Sequence, residues 1–159
     1  MSDKQPIDVL CVGDVVTDVF IKLIDDIEHT YKNEDGKWLA IPFGTKIPFD
    51  HAETLHAVGN AANAAVSFSR LGLNAAFETE VGGDQEGREI VRTLSKEGVD
   101  TRFVHVNGKK QSNIHYVLWF KEERTILIKH EEYDYQWPHF RKYEMPRWVY
   151  FSSISERAL

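Results

Sequence analysis

The chain has 159 residues, 42% of them apolar and 12% aromatic, which is enough to bury a core and too apolar for a disordered chain. A formal net charge of -6 with dispersed basic residues argues against a nucleic-acid partner. The single cysteine, Cys11, excludes a disulfide framework and favours a reducing, cytoplasmic setting, and no apolar run reaches the ~18 residues of a membrane span.

The opening MSDKQPIDVL has no basic segment ahead of an apolar one, so no signal peptide is expected. The run from Ile7 to Val12 is short and nearly continuous in apolar character, which predicts a strand buried on both faces, with Cys11 packed in it. It ends at the turn signal Gly13-Asp14, after which Val15 to Leu23 is rich in β-branched residues. Between Tyr31 and Asp50, two β-like pieces, Trp38 to Ile41 and Ile47 to Phe49, stand among Asn, Gly and Pro, as in a small antiparallel excursion.

From His56 to Leu71 small and apolar residues recur, predicting a well-packed helix closed by Gly72. Asn74 to Val81 is a further strand, followed by the turn Gly82-Gly83. Asp84 then stands as the N-cap of a helix over Gln85 to Lys96, with Ile90, Val91 and Leu94 as its apolar stripe and Gly98 as its stop. Phe103 to Val106 is another short strand. Asn113 to Phe120 and Thr125 to Lys129 form a hairpin with the charged tip Lys121 to Arg124, and Trp148 to Phe151 is a buried-type strand. Alternating strands and helices give a parallel α/β plan; the excursions over about 20–50 and 113–129 stand outside it and together supply one small sheet over a face of the domain.

Ligands of open α/β sheets collect at the carboxyl ends of the strands, where three loops here carry suitable residues. In Gly13 to Asp18, Asp18 is a fixed acceptor suited to two adjacent hydroxyls, and Asp14 suits the same task or a local cap; a pair of turn-stabilising carboxylates is an equal alternative. In Val58 to Asn63, Gly59 lets backbone approach a ligand, and Asn60 and Asn63 share one face of a first helical turn, where amides both donate and accept. The competing reading makes Asn60 an N-cap and Asn63 a solvated residue, but the small residues around Asn63 point to a buried helix. The loop Gly82 to Gly87 reads as a tight turn plus N-cap and is no Walker loop, lacking the Lys-Ser/Thr tail. The seven histidines show no metal-ligand spacing, and His130 reads as a solvated edge.

In order, these pieces resemble the ribokinase/PfkB family of carbohydrate kinases. Gly13 with Asp18 resembles the sugar-contacting start of those enzymes; Gly59-Asn60-Ala61-Ala62-Asn63-Ala64-Ala65 with Arg70-Leu71-Gly72 is similar to their first signature, and Val81 to Gly87 to their V-G-x-D-x-x-G element. The tip Glu123-Arg124-Thr125-Ile126 is similar to the family's lid, and Tyr150 to Ser153 falls at its next central strand. The resemblance, over about residues 7–155, implies a Rossmann-like parallel sheet with flanking helices and a β lid over a sugar or nucleoside. It implies transfer of the γ-phosphoryl group of ATP with Mg²⁺ and an aspartate base. It further implies that Asp18, Gly59, Asn60 and Asn63 hold substrate hydroxyls, with Asn113 and His115 contacting the ligand from the lid.

Two departures bear on this. Val58 stands where the family commonly has a second glycine, and the first lid segment is long and polar. The family's Gly-Ala-Gly-Asp element, which carries the anion hole and the base, is absent, so the chain is expected to be the N-terminal, substrate-binding part of one kinase domain, without catalytic residues and inactive alone. The alternatives are a non-catalytic sugar- or nucleoside-binding module, and an interaction protein whose lid edges pair across a homodimer.

Overall fold

The computed structural model describes residues 6–26, 29–140 and 145–154. Its first layer is an all-parallel four-stranded sheet in the order β10 (Trp148–Phe151), β1 (Val9–Val12), β6 (Ala75–Gly82) and β7 (Val104–Asn107). The predicted parallel α/β plan is therefore present. Two helices, α1 (Asn60–Arg70) and α2 (Gln85–Lys96), cover one face of it. There Val9, Cys11, Ala75 and Phe77 pack against Ala61, Ala62, Ala65, Ile90 and Leu94. The alanines let helix and sheet approach closely, and Phe77 fills the gap between them. Burial pushes the Cys11 thiol up to about 12, so it is an inert packing group. The opposite face, with Leu10, Val12 and Ala76, is covered by Phe103, Phe140 and Ile154. Both described helices thus flank a single face.

The second layer is a mixed sheet in the order β5 (Phe49–Val58), β2 (Val16–Leu23), β8 (Ile114–Phe120) and β9 (Glu123–Lys129). It is the small sheet expected from the two excursions, but larger: β2 begins at Val16, and β5 runs to Val58. The ten-residue β5 takes in His56 to Val58, so the helix expected from His56 starts at Asn60 instead. Ala57 with φ 59° and Gly59 with φ 112° make the bend between them. The hairpin β3 (Thr30–Asn33) and β4 (Gly36–Leu39) pairs only with itself. Of the piece expected at Ile47 to Phe49, only Phe49 is in a strand, as the first residue of β5, and none of it joins that hairpin. At the β8–β9 turn the tip narrows to Lys121-Glu122, because Glu123 and Arg124 are already in register with Phe120 and Trp119.

The strand Trp148 to Phe151, expected to be buried, lies at the edge of the parallel sheet with all four residues exposed, Trp148 at 73%. Its apolar character on both sides suits a central position, but among the described residues it has one neighbour, β1.

Candidate functional site

The site grows from the end of β1. A Cβ on Gly13 would lie 1.8 Å from the Ser152 carbonyl oxygen and 2.8 Å from the Ala61 Cβ. Only glycine lets β1 turn between the exit of β10 and the first turn of α1. The next residue is held by its backbone, Asp14 N–H donating to Ser153 O at 2.7 Å. Its carboxylate is buried, accepts from the Tyr135 hydroxyl at 2.6 Å and has His130 Nδ1 3.9 Å from its other oxygen. Burial pushes the Asp14 carboxyl above its ordinary range, while Tyr135 and His130 pull the other way. Gly59 lies against the backbone of Asp14: a Cβ there would sit 3.2 Å from the Asp14 carbonyl oxygen.

Asp18 projects from β2 beside β8, whose register places His115 directly opposite. His115 Nδ1 is 3.1 Å from Asp18 Oδ1. The His115 and His130 rings meet edge to edge, their planes 17° apart and centroids 5.0 Å apart, with their Nε2 atoms at 2.7 Å. Asp14 from the loop after β1, Asp18 from β2, His115 from β8 and His130 just past β9 therefore form one contiguous cluster with Gly59 beside it. His130 is not a simple solvated edge: its side chain is 41% exposed but tied on two sides.

Asn113 is buried, and both ends of its amide are occupied. Its Nδ2 donates to Val15 O at 3.3 Å and its Oδ1 accepts from Glu131 N at 2.8 Å. It clamps the crossing into β8. Nearby, Thr17 Oγ1 is 3.1 Å from His56 Nδ1, which is 3.2 Å from Glu86 Oε2, so β2 and β5 are tied to the first turn of α2.

The two asparagines of α1 do not enter the cluster side by side. Gly59, not Asn60, is the N-cap residue, and no side chain caps this end. Asn60 is exposed and its Nδ2 donates to Ser153 Oγ at 2.9 Å, which keeps it next to the Asp14 loop. Asn63, expected to be buried, is exposed and lines a shallow groove with His56, Ser67, Arg70 and Glu97. The small residues that suggested burial, Ala61, Ala62 and Ala65, lie on the other side of the helix, against the sheet.

The third loop is a packed turn. Asp84 caps α2 by accepting from Gly87 N at 2.9 Å and also binds Ser112 through its N–H and hydroxyl. Burial alone would raise its pKa, but the donors from Ser112 and Gly87 hold it below the ordinary carboxylate range. A Cβ on Gly82 would meet Ser112 N at 2.4 Å, and one on Gly87 the Gly82 carbonyl oxygen at 2.1 Å. With backbone already filling this space, the loop is no phosphate cradle. Among the described residues no group of three or more His, Cys, Asp or Glu is placed to hold a metal ion.

Sequence reasoning set His130 aside as a solvated edge and did not single out Tyr135. Their signal was a cluster of polar and aromatic residues, His130 to Tyr135, directly after an amphipathic hairpin. Such a stretch has little reason to fold back unless its side chains find partners.

The class follows from this arrangement: an α/β domain in which a β lid contributes side chains to a polar cluster at the end of the first strand. The chain belongs to the pfkB family of carbohydrate kinases, whose model matches residues 24–154. An uncharacterised sugar kinase, PH1459, of Pyrococcus horikoshii is 42% identical over 62 residues, covering 39% of this chain and 20% of that protein. The 5-dehydro-2-deoxygluconokinase of Geobacillus kaustophilus is 43% identical over 51 residues, 32% of this chain and 15% of that protein. Among solved structures, Arabidopsis thaliana ribokinase complexed with ribose and ATP superimposes with a TM-score of 0.60 at 19% identity, over 79% of this chain and 36% of that one. The fructokinase of Halothermothrix orenii gives 0.58 at 20% identity, over 78% and 38%. The chain spans about a fifth of the curated relatives it matches and little more than a third of the solved ones. No described helix is long and apolar enough to cross a membrane.

Proposed function

We propose that this chain is the substrate-binding part of a cytoplasmic kinase that phosphorylates a hydroxyl of a sugar or nucleoside at the expense of ATP. The carrying observation is the convergence of Asp14, Asp18 and Gly59 at the carboxyl end of β1 beneath His115 of the second sheet. Carboxylates in a partly dry site bind neighbouring hydroxyls by charge-assisted hydrogen bonds, and a glycine wall lets the ring approach backbone. In this reading Asp18 is the principal hydroxyl acceptor, Asn60 stands at the rim and His115 on the lid side, while Asn113 holds the crossing into β8 and Asn63 lies on a separate groove. In this reading the ATP and Mg²⁺ site and the base lie outside the span that this chain shares with its longer relatives.

The direct test is calorimetric titration of the chain with D-ribose, D-fructose and adenosine. Binding of at least one is expected, weakened about 10-fold or more in Asp18→Asn, since a lost charge-assisted hydrogen bond is worth about 1.5–3 kcal/mol. Absence of binding by all three would remove the reading. The chain alone is expected to form no ADP with any of these acceptors; sugar-dependent ADP formation would overturn that part.

The exposed β9 edge, carrying Ile126 and Ile128, supports a lid-to-lid homodimer, to be read from sedimentation equilibrium.

A further inference from the structure

We infer that His115 and His130 act as one hydrogen-bonded imidazole couple, anchored by Asp18 at one end and facing Asp14 at the other, and that His130 is a positioning residue of the site. The inference deepens the sugar-site reading, but its core rests on geometry alone.

The Nε2 atoms are 2.7 Å apart, so one of them must donate and the other accept. The flanking groups decide which. Asp18 Oδ1 stands 3.1 Å from His115 Nδ1, close but not aligned as a hydrogen bond, and is a buried oxygen without another partner; since a carboxylate only accepts, it favours the proton of a neutral His115 on Nδ1. His115 Nε2 is then the acceptor, and His130 Nε2–H is the donor. In the neutral couple this leaves His130 Nδ1 as a lone pair, 3.9 Å from Asp14 Oδ2. A third proton can go there, facing the carboxylate. A fourth would set N–H against N–H across 2.7 Å and force the rings apart. The couple therefore holds at most one positive charge.

The surroundings support that count. β5 places Leu55 opposite Asp18, and β9 places Ile128 opposite His115, so neither neighbouring strand offers a charge there. On the Asp14 side, the Tyr135 hydroxyl occupies one oxygen. After His130, Glu131 Oε1 lies 3.9 Å from Lys129 Nζ, while its backbone N–H is held by Asn113. Burial and the neighbouring His130 lower the tendency of His115 to take a proton, with Asp18 opposing them.

The consequence is structural as well as electrostatic. Asp14 stands on the loop after β1 and Asp18 on β2, whereas His115 stands on β8 and His130 just past β9. The β2–β8 ladder already holds the hairpin to β2, so the couple adds a side-chain link that fixes His130 over the Asp14 loop. Adding the second charge separates the rings and releases His130 from that position. For the depressed His115 the native arrangement is fully favoured above the ordinary imidazole range and is lost as pH falls below it.

The test is a long-range ¹H–¹⁵N NMR titration of the histidine rings in the whole chain, with no ligand added. In the native protein His115 is expected as the Nδ1–H tautomer and His130 as the Nε2–H tautomer above neutral pH. His130→Leu should move the His115 midpoint upward, and His130→Gln, whose amide keeps a donor, should restore the His115 Nδ1–H signature without the like charge. If His130→Leu does not fold, His130→Gln alone gives the same readout. An Nε2–H tautomer at His115, or a His115 midpoint indifferent to both replacements, overturns the couple. Because this readout needs no sugar, a chain that binds neither D-ribose nor D-fructose would defeat the functional reading while leaving the couple to be judged on its own spectrum.

Discussion

The helix-covered layer and the second sheet are built on opposite terms. In the first, Ala61, Ala62, Ala65, Ala76, Phe77, Ile90 and Leu94 are wholly buried, and several glycines have backbone where a Cβ would stand. In the second, β9 is exposed along its whole length and Ile128 is 70% accessible. Its order comes from paired polar groups: Asp18 with His115, His115 with His130, Thr17 with His56, Asn113 with Val15 and Glu131. One region is fixed by shape, whereas the other adds hydrogen bonding to a smaller set of buried side chains, Val16, Leu23, Val117 and Phe120. Stability should therefore be concentrated in the first and responsiveness to pH and ligand in the second.

The largest expected effect tests the first half of that contrast. Phe77→Ala removes a fully buried ring between helices and sheet and should destabilise by about 3–5 kcal/mol in urea unfolding. A loss under about 1 kcal/mol would show that the layer is looser than its packing implies. Next comes Gly87→Ala, whose Cβ would meet the Gly82 carbonyl oxygen at 2.1 Å; α2 must shift, and a loss of about 2–3 kcal/mol is expected from the same measurement.

A third test uses pH within the first layer. Glu78 is buried on the sheet face away from the helices, and burial with the nearby Glu80 pushes its carboxyl up to about 8. In the unfolded chain it would ionise near 4.5. The folded state thus holds a proton that the unfolded state releases, and stability falls as pH rises from about 4.5 to about 8. His105 Nε2, 3.6 Å from Oε1, tempers the cost of ionisation, so a decline of a few kcal/mol is the expected scale. Thermal unfolding of Glu78→Gln should lose that slope; a slope equal to the native one would assign it elsewhere. The smallest effect belongs to the second sheet: Ile128→Thr should change stability by less than about 0.5 kcal/mol. A larger change would mean that β9 is more firmly packed than its exposure indicates.

What was legible in the sequence follows the same division. The bounds of α2 came out as expected because Asp84 and Gly98 punctuate it and Ile90, Val91 and Leu94 mark its period. The strands β1 and β6 announced themselves by apolar runs that need burial on both faces. β5 did not. Its sequence FDHAETLHAV is rich in Ala, Glu, Leu and His, which favour helix or neither state, and it is an edge strand held by β2 on one side only. Local propensity therefore drew the expected start of α1 back to His56. Asp14 and Gly59 drew attention in the sequence because glycine and aspartate cluster where the first strand and the first helix meet, and the structure brings them close together. The imidazole couple was not legible, since it depends on the β2–β8 and β8–β9 registers, which no local pattern specifies. Asn63 was misjudged because alanines on three sides of a helical residue say nothing about the fourth.

The self-paired hairpin β3–β4 has a consequence of a different kind. It is inserted between β2 and β5, makes its ladder only within itself, and is anchored near its foot by the bond from Ala40 N to His29 O and by His29 against Phe120. Residues can be gained or lost at its tip without shifting the register of any strand that carries the site. Over evolutionary time this stretch is free to diverge in length and surface while Asp14, Asp18 and His115 stay in place, so lineages of this fold should differ first in what the hairpin displays.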